Sequence, residues 1–226
     1  MTPQIIVHMS TTIDGRIDCP VVAQLGSDEY YKALASFEPS SKLTGRVTAA
    51  IECPAVIGEK PSKAVTELLP KQHHAAIDSN IYEIIVDTHG RLEWGSNNVD
   101  GNPVLVIMSQ STPAETLVDL NKKGISYIVT GKDQIDLLDA METLHDSFGI
   151  ERVAVVGGGC ICGGFLAAGL VDEVSLVIGP GIDGRKGEAS VFDGIVKSNN
   201  TPYRFHLKAV DKIGADTVWL RYHKPY

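Results

Sequence analysis

The sequence has few cysteines and no basic run. Only four of its 226 residues are cysteine, which is too few to cross-link a chain of this length into a disulfide scaffold. The formal net charge is −8, and no Lys/Arg-rich segment occurs that would create a local positive field. These two features argue against a small cross-linked secreted domain and against nucleic acid as a partner.

Long hydrophobic runs are also missing. No apolar stretch approaches the roughly 18 residues that a membrane-spanning helix needs. The sequence begins with a strand-like segment and not with a charged region followed by an apolar one. We therefore expect no membrane association and a cytoplasmic location. Because 43% of the residues are hydrophobic and no low-complexity linker interrupts them, we expect one domain over residues 1–226.

A metal site is not expected either. Cys160 and Cys162 form a C-x-C pair, whereas Cys19 and Cys53 stand alone. Zinc requires three or four converging ligands, and no matching His or Cys pair is present elsewhere. The two paired cysteines fit better as small residues at the start of a packed helix.

Short β-branched runs alternate with helical patterns, which predicts an α/β protein with a largely parallel sheet. Four apolar residues repeat at spacings of four, three and four, as on one face of a helix; they are Leu137, Met141, Leu144 and Phe148. Further helices are expected over residues 28–36, 62–69 and 160–168, the last ending before Gly169. Strands are expected over residues 5–9, 47–51, 82–86, 104–108, 125–129, 152–156 and 173–178, with an antiparallel pair at 203–210 and 217–223.

Three consecutive glycines follow the apolar strand 152–156. Gly157, Gly158 and Gly159 stand at the start of a predicted helix, where backbone N–H groups can approach an anion. The alternative is a tight turn that needs positive φ. The pattern is not a dinucleotide fingerprint, because its third glycine would fall on Cys162, and residues 179–186 lack the lysine and hydroxyl of a phosphate-binding P-loop.

Several segments in order resemble one known family. Residues 155–159, 165–174 and Gly179-Pro180 resemble the carboxy-terminal signature of the riboflavin-biosynthesis reductase domain family, which has a dihydrofolate reductase-like fold. Residues 12–17, TIDGRI, are similar to that family's S-L-D-G-x-I, and residues 45–48, GRVT, to its G-R-x-T. Residues 86–92 and 217–222 resemble its middle and last strands.

The resemblance implies a mixed, mostly parallel central sheet with helices on both faces and a carboxy-terminal antiparallel strand pair. It also implies NADPH bound at the carboxyl ends of the strands. The residues that it assigns to the cofactor are Gly45, Arg46, Thr48, Gly157, Gly158, Gly159 and Cys160, with Thr88 and Arg91 toward the adenosine end. Arg91 is expected to pair with a 2′-phosphate.

The resemblance suggests few catalytic side chains, because the cofactor carries the hydride. Asp14 is placed by its motif to orient a donor or relay a proton, and Thr12 is expected beside it at the substrate. The alternative is that Asp14 serves only to form a turn together with the glycine that follows it. His8 is a candidate acid, with a packed strand histidine as the alternative.

Three departures from the family pattern concern the substrate. His8 stands where the pathway members carry lysine, Val156 stands where they carry glutamate, and residues 30–36 lack their arginine and histidine. We therefore expect an NADPH-dependent reductase of another small heterocyclic or sugar-derived substrate, similar to 5-amino-6-(5-phosphoribosylamino)uracil reductase, and acting as a homodimer. The alternatives are a non-catalytic nucleotide-binding protein and an enzyme that uses the fold for group transfer. The zinc signature of the fused deaminase is absent.

Overall fold

Helices and strands alternate along most of the chain, and they fall into two units. The computed structural model describes residues 1–58, 67–196 and 200–225. The first unit comprises residues 1–3 and 40–153, and the second comprises residues 4–39 and 154–226. The expectation of one domain stays a prediction.

The first unit is built on parallel strands. They lie in the order β2 (Ser41–Gly45), β5 (Glu83–Val86), β8 (Asn102–Met108) and β9 (Ser126–Val129). Strands β5 and β9 are buried along their whole length, as interior parallel strands covered on both faces are. Four short strands complete the described part of this unit. β4 (Gln72–His74) is antiparallel to β9, β7 (Asn98–Val99) folds back on β8, and β3 (Ala55–Ile57) pairs with β6 (Leu92–Trp94).

The described residues of the first unit form three helices: α3 (Arg46–Glu52), α4 (Ala114–Lys123) and α5 (Leu137–Phe148). Helix α5 begins where the Asp136 side chain accepts from the amide of Asp139 at 3.1 Å, and it ends at Gly149 with φ of 66°. Its predicted apolar face is confirmed, because Met141, Leu144 and Phe148 are buried.

The second unit contains a mixed sheet. Strands β1 (Gln4–Thr11) and β11 (Glu173–Ile178) are parallel, and β13 (Thr217–His223) and β12 (His206–Ile213) continue from β11 as an antiparallel pair. Strand β10 (Arg152–Val155) enters this unit with its last two residues. The helices are α1 (Cys19–Val22), α2 (Ser27–Ala35) and α6 (Gly159–Ala167).

Helix α2 packs onto the second unit's sheet through Leu34, which joins a core cluster with Ile6, Phe37 and Ala154. Helix α6 ends as predicted, because Gly169 follows its last turn with φ of 70°. The predicted class, mixed α/β with mostly parallel strands and a carboxy-terminal antiparallel pair, is confirmed.

One predicted strand is wrong. Residues 47–51 lie in helix α3, and the strand is the preceding segment β2. The β-branched Val47 and Ile51 suggested a strand, yet both are more than 60% exposed, as residues four apart on the outer face of a helix can be. Of the predicted helix 62–69, residues 62–66 lie outside the described residues, and residues 67–69 form no helix.

Candidate functional site

In the first unit, two parallel strands end side by side. Gly45 of β2 and Val86 of β5 are register partners, so the next residues, Arg46 and Asp87, lie next to each other at the carboxyl edge of this sheet. Ligands of open α/β sheets bind at that edge. Two of the motifs that the sequence singled out, residues 45–48 and 86–92, therefore meet within one unit.

Arg46 is the first residue of α3, and its side chain is 29% exposed. Its Nη1 lies 4.0 Å from Oδ1 of Asp87. The Nε of Arg46 is buried and has no hydrogen-bond partner among the residues that the structure describes. Thr48 is half-buried two residues further along the same helix. The guanidinium is thus held near a carboxylate while it keeps donors that an anion can accept.

Asp87 is a site residue that the sequence analysis missed. Its side chain is 1% exposed, and its Oδ2 accepts from the amide of Leu92 at 2.7 Å. Burial raises the pKa of this carboxyl group, whereas the amide hydrogen bonds and the charges of Arg46 and Arg91 oppose that rise. The sequence feature that could have identified it is an aspartate directly after an apolar strand.

Residues 87–92 form the turn that carries Thr88 and Arg91. The carbonyl of Thr88 accepts from the hydroxyl of Ser109 at 2.7 Å. Arg91 donates from Nη2 to the carbonyl of Gly58 at 3.3 Å, and its buried Nε has no partner in the described part of the chain. Arg91 also lines a cavity of about 180 Å³ together with Trp94 and ten other residues of this unit.

In the second unit, the glycines after β10 have different structural reasons. Gly158 has φ of 82°, and a Cβ added there would meet nothing nearer than a side-chain atom of Ile161 at 3.6 Å. A Cβ on Gly159 would lie 2.2 Å from the carbonyl oxygen of Ser190. Gly158 is therefore needed for its left-handed backbone, whereas Gly159 is needed because another chain segment packs against it.

The amides of this turn are available for a ligand. Within residues 1–58, 67–196 and 200–225, we find no hydrogen bond from the amides of residues 157–160. The first bonded amides of α6 are those of Ile161 and Cys162, which donate to the carbonyl of Gly158 at 2.9 and 3.0 Å. Free N–H groups at the positive end of a nine-residue helix fit a diphosphate. Cys160, in the first turn of the helix, is exposed.

Thr12 and Asp14 form a closed turn after β1. The Thr12 hydroxyl donates to Asp14 Oδ1 at 2.6 Å, and the Asp14 carboxylate accepts from the amides of Asp183 and Gly184 at 3.0 and 2.9 Å. The hydrogen bond from Thr12, with those from the two amides, lowers the pKa of Asp14 to about 2. The geometry suits orienting a neighbour better than releasing a proton, and the substrate and catalytic roles of both residues stay predictions.

His8 is fully enclosed. Its side chain has no exposed surface, its ring stacks on Tyr30 at 4.6 Å between centroids, and its nitrogens contact the Ser175 hydroxyl at 2.9 Å and the Tyr30 carbonyl at 3.2 Å. Burial lowers its pKa to about 4, although the Tyr30 carbonyl opposes this. A histidine that is neutral and enclosed favours the packed alternative, and the catalytic role stays a prediction.

The described residues contain neither a metal-binding cluster nor a membrane-spanning helix. No group of three or more of their His, Cys, Asp or Glu side chains is arranged to hold a metal ion. None of the described helices is both long and apolar enough to cross a bilayer.

Comparison with known families decides the assignment. The model of the RibD C-terminal domain family matches residues 3–219. The chain belongs to this family. Its relatives include the 2,5-diamino-6-ribosylamino-4(3H)-pyrimidinone 5′-phosphate reductase of Archaeoglobus fulgidus, 27% identical over 203 residues, with 86% of this chain and 88% of that protein covered. The reductase of the same name from Methanothermobacter thermautotrophicus is 28% identical over 220 residues, covering 96% and 97%. This member of the RibD C-terminal domain family is an oxidoreductase.

Solved structures agree on the fold. A pyrimidine reductase-like protein of Corynebacterium diphtheriae has a TM-score of 0.71 at 18% identity, covering 98% of this chain and 91% of that one. The riboflavin biosynthesis reductase Rib7 of Saccharomyces cerevisiae has a TM-score of 0.61 at 17% identity, covering 98% and 90%. The predicted dihydrofolate reductase-like fold is thereby confirmed.

Proposed function

We propose that this protein is an NADPH-dependent reductase of 2,5-diamino-6-ribosylamino-4(3H)-pyrimidinone 5′-phosphate. The single observation that carries the cofactor assignment is the row of amides at residues 157–160, at the start of α6, for which no hydrogen-bond acceptor is found within the described residues. Such a row binds a diphosphate through hydrogen bonds and the helix dipole. The substrate follows from the two archaeal relatives, which are named for it and match nearly the whole chain.

Candidate phosphate-binding residues occur in the second unit and, separately, in the first. In the second unit, Gly157, Gly158, Gly159 and Cys160 bind the diphosphate through their amides. In the first unit, Gly45, Arg46 and Thr48 bind a phosphate at the start of α3, and Thr88 and Arg91 bind near the adenosine, where Arg91 pairs with the 2′-phosphate. The Nε atoms of both arginines are buried and have no hydrogen-bond partner in the described parts of the chain, which supports these roles. The cofactor supplies the hydride when bound.

The substrate proposal differs from the expectation of a changed substrate. That expectation depended on His8, Val156 and residues 30–36, and at least His8 is fully buried in its own unit. A buried side chain cannot contact a substrate directly. A difference at this position therefore does not by itself indicate another substrate.

The test is a reductase assay with the purified protein. We expect loss of the NADPH absorbance with the diaminopyrimidinone ribosyl phosphate, and slower loss with its deaminated uracil counterpart. Binding of NADPH with no oxidation by either compound would contradict the substrate and indicate a cofactor-binding protein. Failure to bind NADPH would contradict the cofactor.

A further inference from the structure

A buried carboxylate lies beside both arginines that the proposed function assigns to phosphate groups. Asp87 is 1% exposed, and its Oδ1 faces Arg46 Nη1 at 4.0 Å. Its Oδ2 accepts from the amide of Leu92 at 2.7 Å, and Leu92 is the residue directly after Arg91. One side chain therefore contacts Arg46 through charge and the backbone beside Arg91 through a hydrogen bond.

The backbone of Asp87 is itself fixed. Its amide donates to the carbonyl of Ile107 at 3.0 Å, and its carbonyl accepts from the amide of Gly90 at 2.9 Å. Gly90 has φ of 61°, and a Cβ there would lie 2.7 Å from side-chain atoms of Thr112 and Thr116. With the Leu92 hydrogen bond, the turn 87–92 is closed from both sides. The position of Arg91 in that turn is therefore set by Asp87 together with Gly58, whose amide donates to the Arg91 carbonyl at 2.8 Å.

The charges indicate why a carboxylate is useful here. Asp87 Oδ1 is buried and has no hydrogen-bond partner among the described residues, and the same holds for the Nε atoms of Arg46 and Arg91. Burying a charge without a counter-charge is costly, so the carboxylate is stable only near the two cations. One negative and two positive charges leave one net positive charge for a phosphate group.

We infer that Asp87 is a positioning residue, which holds Arg46 by charge and Arg91 by closing the turn 87–92, and which acts on the cofactor's phosphates only through them. The inference rests on the proposed function, since it concerns how the phosphate-binding arginines are held. Asp87 itself is too buried to touch the cofactor.

Two substitutions separate the two contacts. Asp87→Asn keeps an oxygen for the Leu92 amide but removes the charge that faces Arg46, whereas Asp87→Ala removes both. Asp146→Asn is the matched control, because it removes the same charge in the same unit. Asp146 is 60% exposed and pairs only with the amino terminus and His145 in the structure described. Binding of NADPH and NADH is measured for each variant by cofactor fluorescence.

We expect Asp87→Asn, which acts through Arg46, to weaken the binding of NADPH and NADH alike, roughly fivefold. Asp87→Ala should weaken NADPH binding roughly tenfold or more with a smaller effect on NADH, because it also releases Arg91, the residue assigned to the 2′-phosphate. Asp146→Asn should bind like the wild type. In an Arg46→Ala background, Asp87→Asn should have no further effect. For Asp87→Ala, a general loss of structure would instead lower the affinities for NADPH and NADH equally. NADPH affinity of Asp87→Asn equal to that of Asp146→Asn, or additive effects with Arg46→Ala, would overturn the inference.

Thermal unfolding without cofactor keeps this test separate from the proposed function. The melting temperature is measured for Arg46→Ala, Asp87→Asn and the double variant. If Asp87 holds Arg46, the double variant should lose less stability than the sum of the two single losses. Additive losses overturn the inference even where NADPH binds. A wild-type protein that does not bind NADPH overturns the proposed function, and the stability cycle still decides whether Asp87 holds Arg46.

Discussion

His8 shows how surroundings decide the chemistry of a residue. The Tyr30 carbonyl can only accept, so Nε2 of His8 carries the proton and Nδ1 accepts from the Ser175 hydroxyl. The Ser175 oxygen in turn accepts from Trp219 Nε1 at 2.7 Å. This chain of hydrogen bonds is complete only when the imidazole is neutral. A second proton, on Nδ1, would give the buried imidazole a positive charge and direct its N–H against the hydrogen of the Ser175 hydroxyl.

The pKa of His8, lowered to about 4 from 6.5, predicts a pH dependence of stability. Between these values the unfolded chain binds a proton that the folded protein does not, so the free energy of unfolding rises with pH. The contribution is complete above pH 6.5 and is lost as the pH falls toward 4, with a magnitude of about 3 kcal/mol. Denaturant unfolding of the wild type and of His8→Asn at several pH values measures it.

The comparison with His8→Asn is needed because Glu83 has the opposite effect on the pH dependence of stability. Burial raises the pKa of Glu83, in the first unit, from 4.5 to about 7, so its contribution to stability falls as the pH rises through that range. Subtracting the profile of His8→Asn removes this term, since both proteins contain Glu83. Parallel profiles for the two proteins would show that His8 takes up its proton equally well in the folded state.

Single residues were predictable where a motif named them and not where pairing across strands decides their role. Arg46 was identified as a candidate from its motif. Asp87 was missed, because its importance depends on the register that brings Gly45 opposite Val86. Local patterns in the sequence contain no direct information on which residues of neighbouring strands are paired. The burial of His8 likewise depends on aromatic residues of α2 and of the segment after it.

At the scale of elements, two structural requirements explain the glycines at the start of α6. The backbone at Gly158 must be left-handed to start the helix, and the backbone at Gly159 must accept the close approach of residues 190–193. Gly163, one turn later, also contacts that segment, since a Cβ there would lie 2.0 Å from the carbonyl oxygen of Asp193. Packing thus fixes the direction of the helix and of its free amides.

The substitution Gly158→Ala tests the role of the turn. Gly169 at the other end of α6 provides a matched control, because it also has positive φ and nothing within 4 Å of an added Cβ. Both substitutions should cost about 1 kcal/mol in stability, since a left-handed backbone disfavours any Cβ. Only Gly158→Ala should weaken NADPH binding. Fluorescence titration together with thermal unfolding of both variants separates the two effects, and equal affinities would contradict a diphosphate site at this turn.

Elements were predictable where periodicity was strong. The face of α5 and the buried strands β5, β8 and β9 could be identified, because apolar spacing and apolar runs reflect burial directly. Helix α3 was mistaken for a strand because its β-branched residues favour strands locally, while its position after β2 requires a helix. The paired strands β3 and β6 have three residues each, too few for any periodic signal.

At the scale of the whole molecule, the proposed function requires an acidic protein to bind an anionic cofactor. A net charge of −8 repels an anion at long range, so the proposal makes NADPH binding depend on local positive groups such as Arg46 and the start of α6. Family membership was predictable, since the matching motifs occur along most of the chain. The pairing of acidic and basic side chains was not predictable, because it depends on which acidic groups are buried beside which cations.

This balance predicts a salt dependence for Arg46→Ala. The variant should bind NADPH about tenfold more weakly than the wild type at low salt, and the difference should shrink as salt screens the lost attraction, because the Debye length falls from about 10 Å at 0.1 M to about 3 Å at 1 M. Arg204→Ala is the control, since Arg204 is exposed in the second unit and its removal changes the net charge equally. If the two variants weaken binding alike at every salt concentration, the effect comes from net charge and Arg46 does not contact a phosphate. A difference from the wild type that is independent of salt would mean that Arg46 acts through packing and not through its charge.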